Sequence, residues 1–227
     1  KVVVIDAEEK NGFRISPEQL RKATTPKTKM LILCNPSNPT GSAYNKKELG
    51  TLAEVAEEGN FYILADEIYE KMVYDDFEFH SFATIAPKLR DRIILVNGVS
   101  KSYAMTGWRI GYTAANEHVI EGMNKIQSHS TSHPSSVSQF AAIEALTGPQ
   151  YVINEMFIEF RKRREFLYNE LVSIKGITCY KPKGAFYLFP NISAFLHKHT
   201  DILKVETSFD FVMHLLYEAH IAVVPGN

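Results

Sequence analysis

One lysine stands out among the residues of this sequence that could do covalent chemistry. Lys101 lies in the stretch Gly98 to Gly111, directly after the apolar run 93–96, which is typical of a buried strand. Ligands of open α/β sheets bind at the carboxyl ends of the strands, so we expect Lys101 at such an edge. Its amine could condense with an aldehyde if its surroundings lowered its pKa from the usual value of about 10.4. A solvated loop lysine is the competing interpretation.

A rigid polar loop follows another predicted strand. Residues 30–34 are apolar and run directly into Asn35-Pro36-Ser37-Asn38-Pro39-Thr40-Gly41. The prolines exclude a helix and a central strand, and Pro39 holds the residue before it extended, which fixes the direction of the Asn38 amide. Taken alone, this loop could equally be a plain turn rich in Asn and Pro.

A carboxylate closes the next apolar run. Residues 61–65 lead into Asp66-Glu67-Ile68-Tyr69, and a carboxylate at the end of a buried strand calls for a specific partner. Strand, loop, helix and strand alternate here, which predicts right-handed crossovers and a largely parallel sheet. Asn38, Asp66 and Lys101 would then lie at the same edge of that sheet.

Together these three stretches resemble the motifs of the class I and II aminotransferases, fold-type-I enzymes that use pyridoxal 5'-phosphate. The lysine signature of that family is met by Gly98, Val99, Ser100, Lys101, Gly107, Arg109, Ile110 and Gly111. Three motifs in the expected order are much more specific than any one of them. The resemblance covers essentially the whole chain, and it is greatest to the bacterial and plastid-type branch that acts on aspartate.

The resemblance implies that Lys101 has two roles. It would hold the cofactor as a Schiff base, and its freed amine would then move a proton at the substrate. The cofactor would supply the electron sink for transfer of an amino group from an amino acid, aspartate in first place, to a 2-oxo acid. A carboxylate against the ring nitrogen keeps that nitrogen protonated, and Asp66 matches this position.

The resemblance also assigns the remaining cofactor contacts. Asn38 and Tyr69 would donate hydrogen bonds to the phenolate oxygen of the ring. Arg109 would bind the phosphate through its planar guanidinium. Gly98 stands where a more distant branch has a phosphate-binding serine, so Ser100 is a further candidate for this role.

Two other functions remain open at this point. The first is a carbon-sulfur β-lyase that uses the same cofactor, although that branch tends to have histidine where this chain has Tyr69. The second is a non-catalytic, aminotransferase-like binding module of the kind found in some transcription regulators, although no DNA-binding helix pair is evident. A vestigial domain would have lost Asn38, Asp66, Lys101 or Arg109, and all four are present.

The composition argues against several classes of partner. The 227 residues carry a formal net charge of −1, which gives no general attraction to nucleic acid or to an anionic membrane. No apolar run approaches the roughly 20 residues of a membrane span. Cys34 and Cys179 lack metal or redox spacing, and His129 and His133 have no carboxylate or thiolate beside them, so no metal site is predicted. A reducing compartment is expected: the cytoplasm, with a plastid left open.

The fold class is α/β, with a largely parallel sheet and flanking helices, followed by an incomplete α+β unit. Residues 1–150 would be part of the cofactor-binding large domain, 151–174 a long connecting helix, and 175–227 a truncated small domain. The basic run 161–165 is assigned to the solvated side of that helix rather than to a nucleic-acid patch. The other patterns predict helices at 17–23, 45–58, 116–127, 134–146 and 208–220, and strands at 109–114, 178–181 and 185–189.

Both ends of the sequence read as strands, at residues 1–6 and 221–224, rather than as polar termini. We therefore expect an internal fragment of a longer enzyme, one that alone binds the cofactor poorly and transaminates little. The resemblance implies that the parent enzyme is a homodimer with active sites at the subunit boundary.

Overall fold

A four-stranded sheet forms the first part of the chain. The computed structural model describes residues 1–199 and 204–226. The strands are β1 (Met30–Cys34), β2 (Tyr62–Asp66), β3 (Ile93–Gly98) and β4 (Gly111–Ala114), in the order β1-β2-β3-β4. The first three run parallel and β4 is antiparallel to β3, so the predicted, largely parallel sheet is confirmed.

Helices connect and flank these strands. They are α1 (Pro17–Ala23), α2 (Lys46–Gly59), α3 (Phe82–Ile85), α4 (Glu117–Ser130) and α5 (Ser136–Thr147). The Ser16 side chain caps α1 and Asn45 caps α2, each in a capping box. The apolar face of α2 packs onto the sheet, and the buried side chains of this core include Leu49, Leu52, Val55 and Ile63. Its apolar spacing is the reason that the sequence predicted this helix.

The long helix α6 (Tyr151–Ser173) leads to the last part of the chain. Its bounds agree closely with the predicted connecting helix. Beyond it lie two short antiparallel pairs, β5 (Thr178–Cys179) with β6 (Pro190–Asn191) and β7 (Lys198–His199) with β8 (Lys204–Val205), and the helix α7 (Ser208–Glu218). No helix of the described residues is long and apolar enough to cross a membrane.

Three predicted strands were wrong. Residues 1–6, 185–189 and 221–224 form no strand, and next to the second of these Gly184 makes a single bridge to Val73. Val2 is 85% exposed and Val224 is 89% exposed. A β-branched run becomes a strand only when a neighbouring strand accepts its hydrogen bonds, and neither end has such a neighbour among the described residues.

Two element boundaries differ from the prediction for local reasons. The helix α2 continues through Gly59, the predicted stop, and ends at Asn60, which has φ of 52°. Asn tolerates this left-handed conformation, and its N–H closes the helix on the Ala56 and Glu57 carbonyls. The strand β4 begins at Gly111 rather than at Arg109, because Arg109 itself is left-handed, with φ of 57°.

One residue of the basic run on α6 is not solvated, contrary to the prediction. Arg164 is 5% exposed; it donates to the Pro182 carbonyl at 2.8 Å and to both Asp75 carboxylate oxygens at 2.8 and 3.0 Å. Its guanidinium also lies 4.4 Å from the centre of the Tyr74 ring. A buried guanidinium needs such partners, and here they join α6 to the segments that follow β2 and β5.

Candidate functional site

The carboxyl ends of the three parallel strands form the candidate site. In the sheet register Asp66, the last residue of β2, lies between Cys34 of β1 and Val96 of β3. The ladder continues past the strands, since the Asn35 N–H donates to the Asp66 carbonyl at 2.9 Å. The loops that carry Asn38, Tyr69 and Lys101 therefore all leave the sheet at one edge, which is where α/β sheets bind their ligands.

Lys101 sits in a tight turn directly after β3. The Tyr103 N–H donates to the Val99 carbonyl at 3.3 Å and the Ala104 N–H to the Lys101 carbonyl at 3.2 Å, so backbone hydrogen bonds fix the turn on both sides of the lysine. Val99 is fully buried and anchors this turn, whereas Lys101 is half-buried. Its amine thus remains accessible while its backbone is held.

Two aromatic rings lie beside the lysine amine. Lys101 Nζ is 5.8 Å from the centre of the Tyr69 ring and 5.4 Å from that of Phe186. The Tyr69 and Tyr187 hydroxyl oxygens are 2.6 Å apart, in a hydrogen bond that either group can donate. Burial above all, and then Tyr187, raise the pKa of Tyr69. The Tyr69 phenol therefore keeps its proton and can act as a hydrogen-bond donor.

Phe186 and Tyr187 were not identified as site residues from the sequence. They come from the last part of the chain, where the Ala185 N–H donates to the Met72 carbonyl at 2.9 Å and fixes the segment against the loop after β2. Their sequence signal was the run 184–190, which resembles the same branch of the family but to which no site role was assigned. Such a pattern usually means core packing, so this long-range contact could not be read from it.

The two adjacent carboxylates at the end of β2 have different surroundings. Asp66 is half-buried, and its Oδ1 accepts the Ile68 N–H at 3.2 Å. Glu67 is 2% exposed and accepts the Phe82 N–H at 2.7 Å and the Ser81 hydroxyl at 3.1 Å. Burial raises the pKa of Glu67 to about 7. Glu67 therefore holds the next segment in place, and Asp66 is the carboxylate that faces the edge.

Asn38 is exposed at the same edge, on the loop that follows β1. The loop is anchored by the buried Asn35, whose Oδ1 accepts the Tyr44 N–H at 2.9 Å. The Cys34 thiol donates to the Pro36 carbonyl at 3.3 Å, and burial raises its pKa to about 11. Cys34 is therefore a neutral thiol that packs beside Asp66, and the Asn38 side chain is left free to contact a ligand.

The turn between β3 and β4 carries the remaining predicted residues. Ser100 is half-buried next to Lys101, and Arg109 is exposed, with its Nη1 donating to the Thr106 carbonyl at 2.9 Å. Pairing of Gly98 with Gly111 brings this turn back to the same sheet edge. A Cβ at Gly98 would lie 2.9 Å from the Ile110 carbonyl oxygen, so this strand pairing leaves no room for a serine there.

The described side chains therefore fall into two groups. Tyr69 and Lys101 are brought together with Phe186 and Tyr187, and the sheet register places Asp66 at the same edge. Asn38 and Arg109 share the edge, but their side chains extend into solvent rather than onto Lys101. The edge thus carries an amine, a carboxylate and a phenol, with an exposed amide and an exposed guanidinium on the neighbouring loops.

Known proteins share this architecture. The model of the family "aminotransferase class I and II" matches residues 1–227. The aspartate aminotransferase of Geobacillus stearothermophilus is 45% identical over 225 residues, which is 99% of this chain and 56% of that relative. A probable aspartate/prephenate aminotransferase of Rickettsia felis is 48% identical over 218 residues, 95% of this chain and 53% of that protein.

Solved structures agree with the sequence relatives. The crystal structure of the aspartate aminotransferase from Rhizobium meliloti has a TM-score of 0.93 and 43% identity, covering 98% of this chain and 56% of that one. The chain thus spans about half the length of the curated relatives it matches. Because the family model matches all 227 residues, this protein belongs to the class I and II aminotransferase family.

Proposed function

We propose that the full-length protein is an aminotransferase that moves an amino group from an amino acid, aspartate in first place, to a 2-oxo acid with pyridoxal 5'-phosphate bound at Lys101. The observation that carries this proposal is the position of the Lys101 amine. It lies at the carboxyl edge of a parallel sheet, half-buried, beside the rings of Tyr69 and Phe186 and on the edge where Asp66 ends β2.

The residues at this edge fit the proposed cofactor. An aldehyde needs a primary amine, a protonated pyridine nitrogen needs a carboxylate, and a phenolate oxygen needs donors. Lys101 supplies the amine and Asp66 the carboxylate. Tyr69 and Asn38 supply the hydrogen-bond donors. A phosphate needs cationic and hydroxyl donors, and the exposed guanidinium of Arg109 and the hydroxyl of Ser100 lie on the same turn as the lysine.

The chain's own side chains would act as follows. When bound, pyridoxal phosphate supplies the electron sink that stabilises negative charge at the α carbon of an amino acid. Asp66 would keep the ring nitrogen protonated, and the Tyr69 phenol, whose pKa is raised, would orient the ring through a donated hydrogen bond. Lys101 Nζ, once released, would remove and return a proton at the substrate's α carbon.

The relatives support the choice of substrate. Those from Geobacillus stearothermophilus and Rhizobium meliloti are named for aspartate, and that from Rickettsia felis for aspartate and prephenate. We propose aspartate as the amino donor on this basis.

We further propose a homodimer, a cytoplasmic location and a division of the chain at α6. An apolar stripe of Val137, Phe140 and Ile143 on α5 supports the first, since exposed apolar patches mark interaction surfaces. Two free thiols, Cys34 and Cys179, suit a reducing compartment. The third rests on the length of α6 and on the different composition of the sheets before and after it, with residues 1–150 and 175–227 as the two units.

The experiment is an absorbance scan of the full-length protein with added pyridoxal phosphate. We expect a visible band in the wild type that is absent from Lys101→Ala, together with a fall in aspartate-to-2-oxoglutarate turnover of at least about 100-fold. Lys88→Ala removes an exposed lysine and should leave both unchanged. A band that persists in Lys101→Ala, or pyruvate release from cystathionine in place of transamination, would contradict the proposal.

A further inference from the structure

A hydrogen-bonded triad lies beside the candidate site, made of Lys71, Tyr103 and Gln150. Lys71 Nζ donates to the Tyr103 hydroxyl at 2.7 Å and to Gln150 Oε1 at 2.9 Å, and the Tyr103 hydroxyl donates to Gln150 Oε1 at 3.1 Å. Lys71 Nζ also lies 5.0 Å from the centre of the Tyr103 ring, within the range of a cation–π contact.

The triad is closed on its far side by backbone carbonyls. Gln150 Nε2 donates to the Gly148 carbonyl at 2.8 Å and to the Ala145 carbonyl at 3.1 Å, so both ends of the amide are satisfied. All three side chains are half-buried, which strengthens hydrogen bonds relative to full exposure. A network that is satisfied in this way has one preferred geometry.

The members of the triad come from segments that the site depends on. Tyr103 is two residues after Lys101 and belongs to the same turn, and Lys71 is two residues after Tyr69, whose ring lies beside the lysine amine. Gln150 directly precedes α6, the helix that leads to the last part of the chain. The three side chains therefore join the Lys101 turn to the segment that carries Tyr69 and to the start of α6.

We propose that Lys71, Tyr103 and Gln150 are positioning residues that hold the Lys101 turn against the Tyr69 loop and the start of α6. The inference rests on the proposed function, because it concerns the orientation of a cofactor bound at Lys101. The triad does not touch the lysine amine itself. Its effect is exerted through the backbone of residues 99–104, and a displacement of about 1 Å in such a turn costs rate steeply.

The test uses the full-length protein loaded with pyridoxal phosphate. Tyr103→Phe keeps the ring and removes the hydroxyl, and Gln150→Leu keeps the approximate shape and removes the amide. The readout of orientation is the ratio of visible circular dichroism to visible absorbance of the bound cofactor. We expect both variants to lower this ratio and to reduce kcat roughly tenfold, with a smaller change in KM.

Tyr44→Phe is the matched control. It removes a buried hydroxyl that accepts the Ile15 N–H at 2.9 Å in the core under α2, so it should lower the melting temperature without changing the dichroism ratio. Lys71→Arg retains a cationic donor and should preserve the ratio better than Lys71→Met.

The outcomes separate the inference from the proposed function. If the wild type shows no visible band, the proposed function fails and the inference fails with it. If the wild-type band is present and either Tyr103→Phe or Gln150→Leu behaves like Tyr44→Phe, the triad is merely structural and the inference alone is overturned. The inference is supported if the dichroism ratio and kcat fall in both Tyr103→Phe and Gln150→Leu, and if Lys71→Arg preserves the ratio better than Lys71→Met.

Discussion

Two adjacent carboxylates at the end of β2, Asp66 and Glu67, have different surroundings and different roles. Strand geometry directs successive residues to opposite faces of the sheet, so Glu67 continues the buried face of β2 and Asp66 the more exposed one. Glu67 is 2% exposed and is held by the Ser81 hydroxyl and the Phe82 N–H. A buried carboxylate with two donors and no cation retains its proton more readily than one in water.

The first prediction concerns the pH dependence of stability at Glu67. Its pKa is about 7 in the folded protein against 4.5 ordinarily, so between these values the folded state binds more protons than the unfolded state. Stability therefore falls as the pH rises through this window, by roughly 3 kcal/mol when complete. Glu67→Gln keeps the Oε1 that accepts both hydrogen bonds and cannot ionise. We expect the melting temperature of Glu67→Gln minus that of the wild type to be larger at pH 8 than at pH 5.

Glu54→Gln is the control for this measurement, because Glu54 is exposed on α2. Its melting temperature should follow that of the wild type at both pH values. A constant difference between Glu67→Gln and wild type across the window would mean that Glu67 is ionised throughout and that its burial does not control its titration.

At the scale of elements, α6 is fixed by a buried cation as well as by apolar packing. Arg164 on α6 donates hydrogen bonds to Asp75 in the first part of the chain and to Pro182 in the last part. Its hydrogen bond also lowers the pKa of Asp75, because it stabilises the carboxylate form. Through Arg164, α6 is therefore tied to the segments that follow β2 and β5. The apolar spacing of the helix alone does not predict these contacts.

The second prediction is that Arg164→Met destabilises the full-length protein. It removes hydrogen bonds to a carbonyl and a carboxylate from a buried position, so we expect the free energy of unfolding to fall by about 2–3 kcal/mol. Arg163→Met is the matched control, since Arg163 is exposed one residue earlier on the same helix and should cost much less. Denaturation midpoints measure both. Equal losses in the two variants would show that the Arg164 contacts contribute nothing net.

The elements themselves were largely predictable, because their signals are local. The spacing of apolar residues and the caps at Ser16 and Asn45 indicate α1 and α2, and apolar runs followed by polar loops indicate the parallel strands. The wrong strands, at 1–6, 185–189 and 221–224, have strand composition without a strand neighbour. Composition reports the propensity of a segment, whereas pairing depends on the rest of the fold.

At the scale of the whole molecule, the candidate site was only half predictable. The motifs around Asn38, Asp66 and Lys101 could be recognised, and the register of the sheet brings them to one edge. The contacts of Phe186 with Lys101 and of Arg164 with Asp75 span long stretches of chain and carry no motif. A lone aromatic residue or arginine has many possible environments, and tertiary packing alone selects among them.

The stripe on α5 leads to the last prediction. Phe140 is 74% exposed, and Val137 and Ile143 lie three residues to either side of it, while Ala142 on the same helix is buried against the Lys101 turn. Aromatic residues in such a position are the usual anchors of protein interfaces. If the proposed homodimer forms through this stripe, Phe140→Glu places an unpaired charge in the interface, and the dimer dissociation constant should rise roughly 30-fold or more.

Sedimentation velocity of the full-length protein over a concentration series measures this constant. Tyr217→Glu makes a similar aromatic-to-acid change at a residue that is 67% exposed on α7, and it should leave the constant unchanged. Dimers of unchanged affinity in Phe140→Glu would show that the stripe lies outside the dimer interface. Because the α5 stripe lies on the helix that packs against the Lys101 turn, a dimer formed there would also stabilise the turn, and Phe140→Glu should weaken cofactor binding in parallel.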